Sequence, residues 1–386
     1  MSLLSLLFHS PAGAALIHGA VELEHGAQGV LPQRLPQWAR AQAHDAQLAM
    51  AAAQPSGVRL VFETAATLLE LVTLPSKRAY AGMPPRPDGQ YDLLIDGRLQ
   101  RQASASGGTL IAIDPFSGAA TTTPGAPQTL RFLDLPAQLK TVELWLPHDE
   151  TSELIELRAD APLMPVAAPG ARRWLHHGSS ISQGSTAASP SGTWPAVAAM
   201  GAGLQLRNLG FGGSALLDPF VARTMRDLPA DLISVKIGIN LVNTDLMRLR
   251  AFGPAVHGFI DTIRDGHPHT PLLIVSPIYC PIHEQVPGPT LFDSAALKEG
   301  QLLFRAAGNI GEVARGKLTL TVIRQQLERI VQQRRQLDAN LHYIDGSTLY
   351  GESDNAVLPL PDALHPDAAT HRLIGERFAA VLSGLM

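Results

Sequence analysis

The stretch WLHHGSSISQG, residues 174–184, opens on the short apolar run Trp174, Leu175 and His176. A run of this kind fits a strand buried within a parallel sheet. Gly178 then permits a sharp turn, and Ser179 and Ser180 start whatever follows. Serine at a helix start is commonly an N-cap, so taken alone the stretch reads strand, turn, helix. The same place, just beyond the C-terminal edge of a parallel strand, gives a nucleophile both access and fixed geometry.

Outward from this stretch, the second half repeats the pattern. Residues 204–207, 232–237 and 272–275 are further short apolar runs. Between them lie helix-like segments such as 194–200, with Pro195 near its start, where a missing N–H is harmless. Leu320, Ile323, Leu327, Ile330 and Leu337 recur at helical spacing, with Arg324, Arg329 and Arg334 on other faces that read as solvated. A last helix over 370–382 carries Ile374, Phe378, Val381 and Leu382. This βα alternation predicts an α/β fold, a parallel sheet covered by helices.

Upstream the rhythm differs. Residues 58–63, 67–74, 91–95, 109–113 and 141–146 are short strand-like runs broken by Gly, Pro, Asp and Ser, and Asp96-Gly97 reads as a turn. No long amphipathic helix interrupts them, so an all-β, jelly-roll-like sandwich is expected. The Pro/Ala-rich stretch APLMPVAAPGAR, residues 161–172, reads as a linker. The expected domains are a β-sandwich over 1–165 and a catalytic domain over 166–386.

The 386 residues suffice for two cores, and 45% hydrophobic with 17% charged residues is the composition of a compact globular protein. Thirty Lys plus Arg against 34 Asp plus Glu, without a dense basic cluster, argue against a nucleic-acid partner. No run approaches the roughly 20 apolar residues of a membrane span. The apolar N-terminus lacks the charged start of a signal peptide and is interrupted by His9 and Pro11, so a cytoplasmic protein is expected. Cys280, the single cysteine, ends an apolar run and reads as a buried, inert thiol.

Three more motifs follow HHGSSISQG. NLGFGGSA (208–215) has glycines that let a backbone N–H face a ligand closely. KIGIN (236–240) ends a strand in an amide side chain able to donate to a developing oxyanion. DALHP (362–366) sets Asp362 and His365 three residues apart in one turn. There the imidazole can take a serine proton while the carboxylate fixes its tautomer. Each motif alone is weak; the four in this order, each at an expected strand or turn, supply every part of serine-dependent acyl transfer.

On these residues the second half, from about 172 to 386, resembles the SGNH, or GDSL, hydrolase superfamily. The resemblance implies a flavodoxin-like three-layer α/β/α domain with Ser180 as nucleophile and Asp362 and His365 completing the triad. It further implies an oxyanion hole of the Ser180 and Gly213 N–H groups and the Asn240 side chain. Two positions depart from the family pattern: GDS is Gly178-Ser179-Ser180 here, and GxND is Gly238-Ile239-Asn240-Leu241. Neither absent Asp is a triad member, but hydrogen bonding around the nucleophile turn becomes an open question, and Ser179 becomes a rival nucleophile. A classical α/β-hydrolase elbow does not fit, because position 182 is serine where G-x-S-x-G needs glycine.

The resemblance implies no cofactor and no metal. The expected partners are a small ester or thioester, with acyl-CoA as a co-substrate, and an alcohol acceptor. Two-domain members of this type include acyltransferases that move an aromatic acyl group from a CoA thioester to a glycosylated polyketide. Esterases and carbohydrate deacetylases, which use water, share the same first half-reaction. A carbohydrate-binding protein with an inactive second domain is a third reading, disfavoured by the intact Ser, Gly, Asn, Asp and His positions. His176, His177, Trp194, Asp245 and His283 are secondary candidates for which packing or surface roles are the default. The stretch Gly311–Lys317 has a phosphate-loop outline, but Leu318 replaces the required Ser or Thr.

Overall fold

The computed structural model describes residues 3–80, 82–83, 85–114, 117–166 and 171–385. Part of the expected linker, 167–170, therefore lies outside the described residues. The chain forms two compact units. The first comprises Met1–Pro36, Met50–Gly170 and Ala188–Ser191; the second comprises Gln37–Ala49, Ala171–Ala187 and Gly192–Met386. The segment Gln37–Ala49, which precedes most of the sandwich in sequence, is thus part of the α/β unit.

The first unit is a sandwich. One sheet runs Ala120–Thr123, Thr109–Ile113, Leu69–Tyr80, Thr151–Ala159, Val30–Gln33, Glu22–His25, with Leu4–Leu7 and Gln128–Phe132 as side pairings. The other runs Met164–Pro165, Arg59–Thr64, Lys140–Trp145, Gln90–Ile95, Arg98–Ser104, with Ile17–His18 beside Arg59–Thr64. Strand alternation explains the shared core: Leu60 and Phe62, Tyr91 and Leu93, Val142 and Leu144 from one sheet meet Leu69, Leu71, Leu154 and Leu157 from the other. Asp96 and Gly97 both have positive φ, 48° and 75°, as a tight hairpin requires.

One buried carboxyl in this unit sets a pH dependence. Glu150 Oε1 accepts the Gly89 N–H at 2.9 Å, while Oε2 is buried with no hydrogen-bond partner. Burial pushes its pKa up to about 7. A folded value above the ordinary one means this site favours the fold fully below pH about 4.5 and loses that advantage as pH rises through about 7. The difference is worth about 3 kcal/mol. Denaturant titrations at pH 5 and pH 8 should show Glu150→Gln abolishing a loss of that order; an unchanged pH dependence would contradict it.

In the second unit, β1 (Arg173–Gly178), β2 (Gln205–Gly210), β3 (Leu232–Lys236), β4 (Leu272–Val275) and β5 (Leu341–Ile344) are all parallel, in the order β2-β1-β3-β4-β5. This is the flavodoxin-like order, whose switch point flanks β1. Period-two alternation along β1 divides its side chains between two helical layers. Trp174 packs on Trp194 and Phe378, and His176 on Trp194, from helices Trp194–Ala202 and Ala368–Ser383. His177 instead stacks on Phe259 of helix Leu249–Gly266, at 5.8 Å.

Two expectations about the 320–337 segment fail. The helix spans Leu320–Arg334, and Leu337 is 98% exposed beyond its end, where the chain has already turned. The arginines do not form one solvated face. Arg324 is largely buried and forks onto both Glu284 oxygens at 2.7 Å, and it also donates to Pro277 O and Ile278 O. Arg334 pairs with Asp261 and reaches His257. Among the described residues no helix is long and apolar enough to cross a membrane.

Candidate active site

β1 ends at Gly178, and no side chain fits there, since a Cβ would lie 2.2 Å from Ser182 Oγ. Ser179 then adopts extended backbone, and Ser180–Gln183 makes a single helical turn closed by Gly184 at φ 113°. As the first residue of that turn, Ser180 has an N–H without an intrahelical acceptor. Its side chain reaches His365, with Oγ to Nε2 at 3.0 Å. Ser179 Oγ, by contrast, is buried with no partner. The two adjacent serines are separated by geometry: only Ser180 meets a base.

The imidazole that meets Ser180 comes from the turn 362–365. His365 Nδ1–H donates to Asp362 Oδ2 at 2.7 Å, and the backbone N–H groups of His365 and Leu364 donate to Oδ1 at 2.6 and 2.9 Å. Ala363, at φ 67°, supplies the sharp bend that brings carboxylate and ring together. Burial acts to raise the Asp362 pKa, but the His365 hydrogen bond and charge, with the two N–H bonds, outweigh it and hold the group below its ordinary value. An ionised carboxylate only accepts, so Nδ1 carries the imidazole proton and Nε2 is left free to accept from Ser180. Asp362 O also accepts the Phe304 N–H at 2.9 Å, and the Phe304 ring meets the His365 ring edge-on at 5.7 Å.

The 208–215 block lies beside the Ser180–Gln183 turn. Asn208 Nδ2 donates to Ser182 O at 2.8 Å while its Oδ1 accepts the Gly210 N–H. Gln183 Oε1 accepts the Gly212 N–H at 2.7 Å. Gly213 has φ 75°, and its N–H has no hydrogen-bond acceptor among the described residues. Asn240 is the second residue of the helical turn Ile239–Asn243, which follows Gly238, whose φ of 142° and contact with Pro277 admit only glycine. The Asn240 oxygen accepts the Ala215 N–H at 3.1 Å. Because Ala215 N–H can only donate, the atom facing it is Oδ1, which turns Nδ2 away with a free donor. These contacts tie the second and third motifs together.

At the position where the family pattern has an acid, Ser179 Oγ makes no hydrogen bond, and a side-chain contact to the Ser180 turn comes from His176 in β1. His176 is fully buried between Ser234 Oγ (2.7 Å to Nδ1) and Ser182 Oγ (2.8 Å to Nε2), and Trp174 donates to the same Ser234 at 2.8 Å. Burial, with His177 and Lys236 nearby, holds its pKa well below the ordinary value. His176 is thus a neutral bridge from the sheet into the Ser180–Gln183 turn. The other secondary candidates are also structural. Trp194 lies in the aromatic core, His283 bonds Val286 O and Thr290, and Asp245 pairs with Lys317, which also pairs with Glu312. The Cys280 thiol is buried and pushed up to about 12 by that burial. Sequence reading missed Asn208, Gln183 and Phe304. Among the described residues no group of three or more His, Cys, Asp or Glu side chains has metal-binding geometry.

Residues 172–283 match the GDSL-like lipase/acylhydrolase family, and residues 16–154 match the SsfX3 N-terminal domain. The chain is accordingly an enzyme of the GDSL acyltransferase/esterase type, with an N-terminal sheet-rich domain. It is similar to the salicylyl-acyltransferase SsfX3 from a tetracycline biosynthetic pathway, at 29% identity over 97% of this chain and 95% of that one, with a TM-score of 0.77. Its fold is also that of a GDSL-like lipase from Bacteroides ovatus (16% identity, 100% and 98% coverage, TM-score 0.69). A family two carbohydrate esterase from Clostridium thermocellum, solved with cellohexaose, shares it too (15%, 86% and 94%, 0.54). No curated protein matches the chain by sequence.

Proposed function

We propose that the protein moves an acyl group from a thioester or ester to the hydroxyl of a bound alcohol, through an acyl-Ser180 intermediate. The observation that carries this reading is the continuous chain from Ser180 Oγ through His365 to Asp362. His365 Nε2 takes the hydroxyl proton as Oγ attacks the carbonyl. The oxyanion draws on the N–H groups of Ser180 and Gly213 and on Asn240 Nδ2. His365 then protonates the leaving group, deprotonates the acceptor and returns the proton to Ser180 as the new ester departs.

Transfer is favoured over hydrolysis by the likeness to SsfX3 over nearly the full length of both chains. A second support is the hairpin Thr290–Phe292 with Phe304–Ala306, which sets Phe304 against His365 and Phe292 against Phe304 at 5.1 Å. An apolar, aromatic wall at the base suits an aromatic acyl group and limits water there. We take acyl-CoA as the donor and a glycosylated or polyketide alcohol as the acceptor; a CoA donor implies a cytoplasmic reaction. A bound acceptor can reach an effective molarity of ~10⁵ M, enough to outcompete water without excluding it. The test is to form the acyl-enzyme from an aryl thioester and follow its decay by intact mass. Discharge accelerated by one class of alcohol, with ester product, is expected; rapid decay to free acid that no acceptor alters would mean an esterase.

Asn240→Ala should lower kcat by ~10²–10³ while leaving the fold intact, the usual loss for one oxyanion donor. Steady-state rates on an aryl ester check this, and full activity would remove Asn240 from the site.

A further inference from the structure

Three backbone polar groups matter at Gly212 and Gly213, of which Gly212 C=O and Gly213 N–H belong to the peptide that joins them. Gly212 N–H donates to Gln183 Oε1 at 2.7 Å, and Gly212 O accepts from Gln47 Nε2 at 2.8 Å. The third, Gly213 N–H, is left without an acceptor among the described residues. In a planar trans peptide the C=O and the following N–H point in opposite directions. The one cis bond among the described residues is Gly288–Pro289, so the 212–213 peptide is trans. Fixing Gly212 O on Gln47 therefore aims Gly213 N–H away from Gln47. A glycine-rich loop needs such outside holds, because its own backbone resists few orientations.

Gln47 is itself well placed to act as a hold. It stands in the first turn of the helix Ala46–Ala53, where Asp45 Oδ1 accepts the Leu48 N–H at 2.9 Å and Leu48 is buried. Its side chain also lies over Gly213, where a Cβ would meet Gln47 Cγ at 3.4 Å. Donation to the carbonyl polarises the peptide and strengthens its N–H as a donor. Gln47 belongs to Gln37–Ala49, the part of the early chain that is compact with the α/β unit.

We infer that Gln47 is a positioning residue for acyl transfer, orienting and polarising the Gly212–Gly213 peptide so that Gly213 N–H meets the oxyanion. This rests on the reading of Gly213 as an oxyanion donor. Gln47→Leu, which keeps bulk and removes the donor, should lower kcat about tenfold, less than loss of a donor in direct contact. KM should change less than about twofold, and affinity for an aryl boronic acid, which forms a tetrahedral adduct on the serine, should fall by the same factor as kcat. Gln47→Glu at pH 8, of equal length and without a donor, should behave alike and serves if the leucine variant folds poorly. Unchanged kcat and boronate affinity, or a change in KM alone, would overturn the inference. Ser180→Ala measured in parallel separates the two levels: an active Ser180→Ala would defeat the acyl-serine reading itself, whereas an inactive one beside an unaffected Gln47→Leu defeats only the role of Gln47.

Discussion

Ser180→Ala is expected to lower kcat on an activated aryl ester by about 10⁶-fold, the loss seen when the nucleophile of a serine triad is removed. The variant should fold normally, because Ser180 Oγ makes its hydrogen bond to His365 and the turn around it is held by backbone bonds. Some catalysis over water, about 10³–10⁴, should persist from the oxyanion donors and substrate binding. Rates with enzyme at high concentration, with circular dichroism to confirm the fold, decide the matter. A loss below a hundredfold would mean another residue attacks.

Asp362→Asn should lower kcat by about 10⁴-fold. The reason is the tautomer. The carboxylate now accepts from His365 Nδ1–H, so Nε2 is the acceptor facing Ser180. An amide NH₂ at the same place donates to Nδ1, which puts the proton on Nε2, where it can no longer take one from serine. A second consequence follows from the depressed Asp362 pKa. A folded value below the ordinary one contributes stability that is present above the ordinary carboxyl pKa, about 3.9, and lost as pH falls through the folded value. The variant should therefore be less stable than wild type at pH 7, with the gap closing on acidification. Activity within tenfold of wild type would remove Asp362 from the triad.

Much of the α/β unit was legible because strand burial and helix spacing are local signals. β3 and β4, LISVK and LLIV, are near-continuous buried runs, and β1 and β2 were readable from the shorter runs 174–176 and 204–207. β5, Leu341–Ile344, was not: its LHYI alternates polarity and three of its four residues are only half-buried. The spacing that included Leu337 overran the helix end because periodicity carries no stop signal there. Arg324 looked solvated because its partner Glu284 lies forty residues away. The site divides the same way. Ser180, Asp362 and His365 stand in short motifs whose chemistry requires those residue types. Gln47, Gln183 and Asn208 act through hydrogen bonds to backbone atoms, a task many polar side chains perform, so no residue type marks it. Asn208 does open the NLGFGGSA motif, and its place at the end of β2 was the one available hint. The placement of Gln37–Ala49 with the α/β unit depends on contacts distant in sequence, including Arg223 over the Trp38 ring at 5.2 Å, which no local pattern encodes.

The most direct test of the account is covalent labelling with a fluorophosphonate, followed by intact mass and peptide mapping. The probe requires a serine activated by a base and an oxyanion hole, so it reads the whole constellation at once. One adduct per chain is expected, on Ser180 and absent from Ser180→Ala. An adduct on Ser179, or no adduct on folded protein, would contradict it.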